Sequence, residues 1–200
     1  MENMVEFRLH GRGGQGIVMA ASIFAEAVFL EGRFARAFSL FGAERRGAPV
    51  TAFIRTGEER LMPRSRIYQP DFVVVFDPTL SGSTLLAGLK KNGTLLVNSA
   101  GKGLDKLTEG VEAENQPKIF IVDATAIARK HGLTVGGFPV VNTVMLGAMA
   151  RISGLASLDN LAGSIKKRIS ASIEANINAV TEGLESVKEV GHLVNQIGPE

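Results

Sequence analysis

Residues Val5–Gly32, VEFRLHGRGGQGIVMAASIFAEAVFLEG, decide the fold. Val5, Phe7 and Leu9 alternate with Glu6, Arg8 and His10, the two-residue period of a half-buried strand. The chain then runs through Gly11-Arg12-Gly13-Gly14-Gln15-Gly16 into a stretch whose apolar residues recur at helical spacing. Gly32 stands where a helix C-terminus favours a residue of positive φ. Strand, glycine loop, helix is the opening of an α/β unit. Gly11, Gly13 and Gly16 satisfy G-x-G-x-x-G in the context that motif requires. Glycines there let backbone N–H groups approach an anion, and the helix N-terminus adds partial positive charge. The acid expected about 20 residues on for a ribose hydroxyl is missing. Arg33 and Arg36 occupy that region, with no acid between Gly32 and Ala43. NAD is therefore disfavoured, NADP or coenzyme A stays open, and so does a tight turn that packs helix on strand and binds nothing.

Outward from this stretch, the pattern repeats. Phe34–Leu40 and Val50–Arg55 read as short strands. Asp71–Asp77 is an apolar run bounded by acids, as in a strand buried on both faces, and Thr94–Asn98 and Ile119–Asp123 repeat it after a helix expected over Ser83–Lys90. Ala100–Pro117 is polar and aperiodic, a surface excursion. A helix over Ala124–His131 follows, then GLTVGGFPVV. Asn142 is expected to cap the helix NTVMLGAMARIS, in which Gly147 permits a close approach of another element. The last 40 residues read as helical, with breaks near Gly183 and Gly191. Strands alternating with helices imply α/β class, a three-layer α/β/α sandwich with a mainly parallel, Rossmann-like sheet. The reading is one domain over 1–200, an α/β core to about residue 155 and C-terminal helices from 156.

The 200 residues are 45% hydrophobic and 21% charged, a globular composition. The chain has no cysteine and three histidines, His10, His131 and His192. That excludes a disulfide framework, a thiol nucleophile, a cysteine zinc cage and a cluster held by this chain. MENMVEFRLH lacks the apolar core of a signal peptide, and no run of 18 apolar residues occurs, so a cytoplasmic, membrane-free protein is expected. A net charge of +2 argues against nucleic-acid binding. The sum hides an asymmetry. Residues 33–66 carry eight arginines against Glu44, Glu58 and Glu59, a local balance of +5. Arginine suits phosphate, carboxylate and interface pairs.

Within that region, Phe41-Gly-Ala-Glu-Arg-Arg-Gly-Ala-Pro49 fits neither a core strand nor an amphipathic helix. It reads as a solvated loop or as one aiming Arg45 or Arg46 at an anion, with Glu44 pairing one of them. His10 reads as a packed strand-end histidine, with an acid–base role as the alternative. Asp71, Asp77 and Asp123 lack metal-site spacing, and turn formation accounts for them. No Ser-His-Asp or paired-carboxylate arrangement stands out.

Taken together, HGRGGQGIVMAASIFAEAVFLEG, FGAERRGAPVTAFIR and Asn142-Thr143 with Leu146-Gly147-Ala148 resemble the gamma subunit of 2-oxoacid:ferredoxin oxidoreductases. The resemblance runs from about Val5 to Gly183 in the family's motif order. The spelling ERRGAPV is similar to the pyruvate and ketoisovalerate branch, and Ala43 departs from the proline often found before the Glu. The resemblance implies CoA-dependent oxidative decarboxylation of a 2-oxoacid, most simply pyruvate, with reduction of ferredoxin. It implies thiamine diphosphate and iron–sulfur clusters in partner subunits. This chain carries no G-D-G thiamine-diphosphate fingerprint and is left with assembly and help in holding coenzyme A. Carried over as candidate site residues are Gly11, Gly13, Gly14, Gln15 and Gly16; Glu44, Arg45, Arg46 and Gly47; and Asn142 and Thr143. Gly147 and Asn176 match the family pattern as well. The resemblance implies no catalytic residue and no metal ligand. The alternatives are a free-standing NADP-dependent reductase and a scaffold whose loop binds nothing.

Overall fold

A computed structural model describes residues 4–40, 47–58, 63–80, 85–101, 104 and 117–190. The elements are β1 (Val5–Arg12), α1 (Ile17–Leu30), β2 (Phe34–Leu40), β3 (Pro49–Gly57), β4 (Phe72–Val75), β5 (Thr94–Asn98), β6 (Lys118–Val122), α2 (Ala124–Lys130), β7 (Thr134–Val135), β8 (Phe138–Pro139), α3 (Asn142–Ser153), α4 (Leu158–Arg168), α5 (Ile173–Ser186) and β9 (Lys188–Glu189). Seven strands form one sheet in the order β2-β3-β1-β4-β5-β6-β9, and β7 and β8 form a separate hairpin.

The sheet is α/β and mainly parallel, with an unanticipated insertion. β1, β4, β5 and β6 pair in parallel. β3 lies antiparallel between β1 and β2, so β2 runs the same way as β1 without touching it. The crossover β1–α1–β2 therefore spans one strand, which the hairpin back through β3 then fills. At the other edge β9 pairs antiparallel with β6, where the sequence pattern predicts only helix. A strand of two residues is too short to register as a period.

Alternation along the strands divides the interior in two. Phe7, Leu9, Ala52, Ile54, Val74 and Leu96 pack with the buried residues of α1, α2, α3, α4 and α5. Phe7 anchors this side, stacked on Phe72 at 4.6 Å between centroids and edge-on to Phe24 at 5.3 Å. Val73, Val75, Leu95, Val97, Ile119 and Ile121 point to the opposite side, under Leu85, Leu104 and Val190. The expected helix over Ser83–Lys90 lies partly outside the described residues, and its final part is a turn closed by Leu89 N–H to Leu86 C=O. The excursion 100–117 lies mostly outside them; Leu104 within it is buried.

On that opposite side β1 and β3 carry charge into the interior. Arg55 is 6% exposed. Its Nε donates to Glu6 Oε1 at 2.6 Å and its Nη1 to the carbonyls of Pro63 and Ser65. Arg8, equally buried, donates to the carbonyls of Leu85 and Ala87 and through Nε to His10 Nε2. Every donor-rich head thus meets an acceptor, the condition for burying a guanidinium.

Two glycines set the helical layer. Gly183, expected to break the last helix, lies inside α5. It faces α3, where Gly147 stands opposite. The close approach expected at Gly147 is there, and Gly183 is its other half.

Candidate functional site

The glycine loop closes at the carboxyl ends of β1 and β4. The two strands are neighbours, and their onward connections run to α1 on one side and to β5 on the other, the position where open α/β sheets take ligands. Gly14 and Gly16 have φ of 98° and 75°, values only glycine adopts without strain. Gly16 is the N-cap of α1, with no side chain capping the helix and no acid in its first turn. A Cβ on Gly16 would stand 2.7 Å from Asn142 Nδ2. Glycine is needed there for both conformation and space.

Gln15 and Arg12 hold the loop from within. Gln15 Oε1 accepts from the Arg12 N–H at 2.7 Å, and its Nε2 donates to Asp77 Oδ2 at 3.2 Å. Arg12 uses all three arms: Nε to Asp77 Oδ2 at 3.0 Å, Nη2 to Thr79 Oγ1 and Nη1 to the Gly47 carbonyl. Asp77 Oδ1 accepts in turn from the Thr79 N–H and hydroxyl. Burial works to raise the Asp77 pKa. The Thr79 hydrogen bonds, the Arg12 charge and Gln15 outweigh it and hold the carboxyl below its ordinary range. Turn formation does not exhaust what Asp77 does; it joins two loops. Neither Arg12 nor Asp77 stood out as a site residue in the sequence, because their pairing is 65 residues long in chain terms.

The second signature meets the first through its backbone. Gly13 N–H donates to the Ala48 carbonyl at 2.9 Å, and Gly47 N–H donates to the Gly13 carbonyl at 3.1 Å. Glu44, Arg45 and Arg46 lie outside the described residues.

The third signature completes the arrangement. Asn142 is the first residue of α3, not its cap; Val141 holds that position and no side chain caps it. Asn142 is 5% exposed. Its Oδ1 accepts from the Thr143 N–H, while its Nδ2 has no hydrogen-bond partner among the described residues. Thr143 is fully buried and donates its hydroxyl to Asn176 Oδ1 at 3.1 Å. Asn176 Nδ2 donates to the Ser172 carbonyl. The pair therefore locks α3 to the start of α5.

A cavity of about 410 Å³ opens beside Gly16 and Asn142, with Met19, Leu133 and Ile169 as apolar walls and Ser172 on its rim. Gly16, Asn142 and Ser172 begin α1, α3 and α5, none capped by a side chain. The starts of three helices thus border one hollow, together with an amide donor that has no partner among the described residues, a setting that favours an anionic group. Among the described residues no group of three or more His, Asp or Glu can hold a metal ion, and none of the helices is long and apolar enough to cross a membrane.

His10, next to the loop, has its Nε2 filled by Arg8. Burial, then the charges of Arg8 and Arg66, lower its pKa to about 4. It is neutral at pH 7 and its accepting nitrogen is engaged, which fits the packed reading rather than acid–base chemistry.

The family model for pyruvate ferredoxin/flavodoxin oxidoreductase matches residues 6–186. The chain is 44% identical over 187 residues to the pyruvate/ketoisovalerate oxidoreductases common subunit gamma of Pyrococcus furiosus, covering 92% of this chain and 98% of that one. Among solved structures, the pyruvate oxidoreductase subunit PORC of Thermotoga maritima superposes with a TM-score of 0.80 at 36% identity, over 95% of this chain and 100% of that one. A 2-oxoglutarate:ferredoxin oxidoreductase from Magnetococcus marinus, solved with 2-oxoglutarate, coenzyme A and succinyl-CoA bound, shares the fold at a TM-score of 0.73 and 19% identity, over 92% of this chain and 31% of that one. In sequence, extent and fold alike, the chain belongs to the pyruvate ferredoxin/flavodoxin oxidoreductase family as a gamma-type subunit.

Proposed function

We propose that this chain, as a single gamma-type domain, is the coenzyme A-holding and assembly subunit of a cytoplasmic pyruvate:ferredoxin oxidoreductase. Its partners are the subunits that carry thiamine diphosphate and iron–sulfur clusters, and ferredoxin is reached through the complex. With no cysteine this chain has no donor set for a cluster. Bound in the partners, those groups supply decarboxylation and electron transfer. What this chain supplies is binding and orientation.

One observation carries the coenzyme A reading. On a residue only 5% exposed, an amide nitrogen with no partner among the described residues, Asn142 Nδ2, lines a cavity that the starts of α1, α3 and α5 also border. A phosphate-bearing ligand satisfies those donors, and the apolar walls suit its uncharged portion. In this reading the backbone of Gly14 and Gly16 and the Asn142 amide face the ligand, while Gly13, whose N–H and C=O are engaged by Ala48 and Gly47, ties the loop to the second signature. Gln15 and Thr143, whose polar atoms are engaged within the protein, keep those groups in place. Gly47 joins the loop to the segment carrying Glu44, Arg45 and Arg46, which we assign to the partner interface or to the same ligand.

Reconstitution tests the reading. Mixing the chain with its partner subunits should restore ferredoxin reduction by pyruvate that saturates with coenzyme A. Partners that reach full activity and an unchanged KM for coenzyme A without this chain would sink it.

A further inference from the structure

We propose that Asp77 is a positioning residue for the ligand-facing glycine loop, setting its shape from beneath without touching the ligand. The inference rests on the reading that this loop helps hold coenzyme A.

The carboxylate is 13% exposed and accepts four hydrogen bonds. Two come from its own turn, at Thr79. The other two come from Arg12 and Gln15, which bracket Gly13 and Gly14. Gln15 Oε1 in turn holds the Arg12 N–H, and Gln15 N–H donates to the Arg12 carbonyl. The residues flanking the two central glycines are therefore pinned on both sides, and both pins end on one carboxylate.

That arrangement answers a specific difficulty. Gly14 at φ 98° and Gly16 at φ 75° sit where the chain has the greatest freedom to relax. A glycine loop free in solution would sample many shapes, and the ligand would have to select one of them, losing affinity in proportion. Anchoring Arg12 and Gln15 to the end of β4 removes that freedom before the ligand arrives. A negative charge under an anion site would otherwise work against binding. Here the Arg12 guanidinium, 3.0 Å away, neutralises it. The same guanidinium reaches the Gly47 carbonyl, so the carboxylate also sets the loop against the chain that follows β2.

The test uses the reconstituted complex with three variants of this chain. Asp77→Asn keeps the shape and loses the charge; Gln15→Met removes the second pin; Gly14→Ala strains the loop itself. Asp77→Asn should raise the KM for coenzyme A roughly tenfold, the scale for losing one hydrogen bond to a charged group, with kcat and the KM for pyruvate within twofold of wild type. Gln15→Met should move the same constant in the same direction, and it carries the test if Asp77→Asn does not assemble. A raised KM for coenzyme A in Gly14→Ala, with Asp77→Asn and Gln15→Met both unchanged, overturns the positioning role while leaving the loop as the site. No change in any of the three removes the coenzyme A reading of the loop, and this inference with it.

Discussion

Gly147 of α3 and Gly183 of α5 face each other's helices so closely that backbone of the opposite helix occupies the place where each would carry a side chain. A Cβ on Gly147 would lie 2.0 Å from the Val180 carbonyl oxygen, and one on Gly183 would lie 2.2 Å from the Val144 carbonyl oxygen. Both obstacles are backbone, which cannot swing aside as a side-chain end can. Gly147→Ala and Gly183→Ala should each destabilise the chain by about 1–3 kcal/mol or more, since the helices must separate. Thermal unfolding should show a Tm lower by roughly 2–4 °C per kcal/mol. An unchanged Tm for both would mean that the helices do not meet this closely.

Asn142 and Thr143 are neighbours with different expected roles, and substitution should separate them. Asn142→Ala removes a donor that has no protein partner and also the acceptor of the Thr143 N–H, so it should lower stability by about 1 kcal/mol, the cost of that one hydrogen bond. The KM for coenzyme A in the reconstituted complex should rise roughly fivefold, as for the loss of one hydrogen bond. Thr143→Val leaves the buried Asn176 Oδ1 without its donor. It should cost about 1–3 kcal/mol of stability and change the coenzyme A constant little. The reverse pattern would assign the two residues the other way round.

His10 gives the stability a pH dependence of known sign. Its folded pKa of about 4 lies below its ordinary value of 6.5. Between those values the unfolded chain holds the proton and the folded chain does not. Stability should therefore be fully present above pH 6.5 and fall as the pH drops toward 4, by at most ~1.4 kcal/mol per pH unit. Glu26, Glu31, Asp77 and Glu182, all shifted downward by the groups that hydrogen-bond to them, add losses below the ordinary carboxylate range. Denaturant unfolding at pH 7, 5.5 and 4.5 measures the slope. His10→Gln, which can still accept from Arg8, should flatten the upper part of it.

Glu6 and Arg55 form a largely buried ion pair across β1 and β3. Glu6→Ala leaves the guanidinium without its counter-charge and should destabilise by roughly 3 kcal/mol. Replacing both residues, Glu6→Leu with Arg55→Met, should cost less than the two single changes added together. Strict additivity in a double-mutant cycle would contradict direct coupling.

How much of this was legible in the sequence depended on distance along the chain. Val5–Gly32 gave strand, loop and helix correctly because its signals are local: a period of two, a glycine cluster, then a period near 3.6. The runs at Phe72, Thr94 and Lys118 were legible as buried strands for the same reason. β3 was legible as a strand, but its place between β1 and β2 was not, since pairing partners leave no mark on local pattern. Gly183 looked like a helix breaker because glycine propensity says so; the backbone of Val144 across the interface overrides it. Asp77 looked like turn chemistry because its partners Arg12 and Gln15 lie more than sixty residues upstream. Glu44, Arg45 and Arg46, prominent in the sequence, fall outside the described residues, while Gly47 at their end sits against Gly13.

The exchange of backbone hydrogen bonds among Gly13, Gly47 and Ala48 makes the glycine motif something that cannot be moved. A peptide cut to β1, the loop and α1 would keep every letter of G-x-G-x-x-G. It would lack the Gly47 and Ala48 backbone on one flank and the Asp77 carboxylate on the other, and so would lack the motif's shape. Grafting this loop onto another α/β sheet would require transplanting three separate stretches of chain together. The signature that is easiest to find in the sequence is, in three dimensions, a joint product of three stretches far apart in the chain, because its loop is held by the Gly47–Ala48 backbone and the Asp77 carboxylate together.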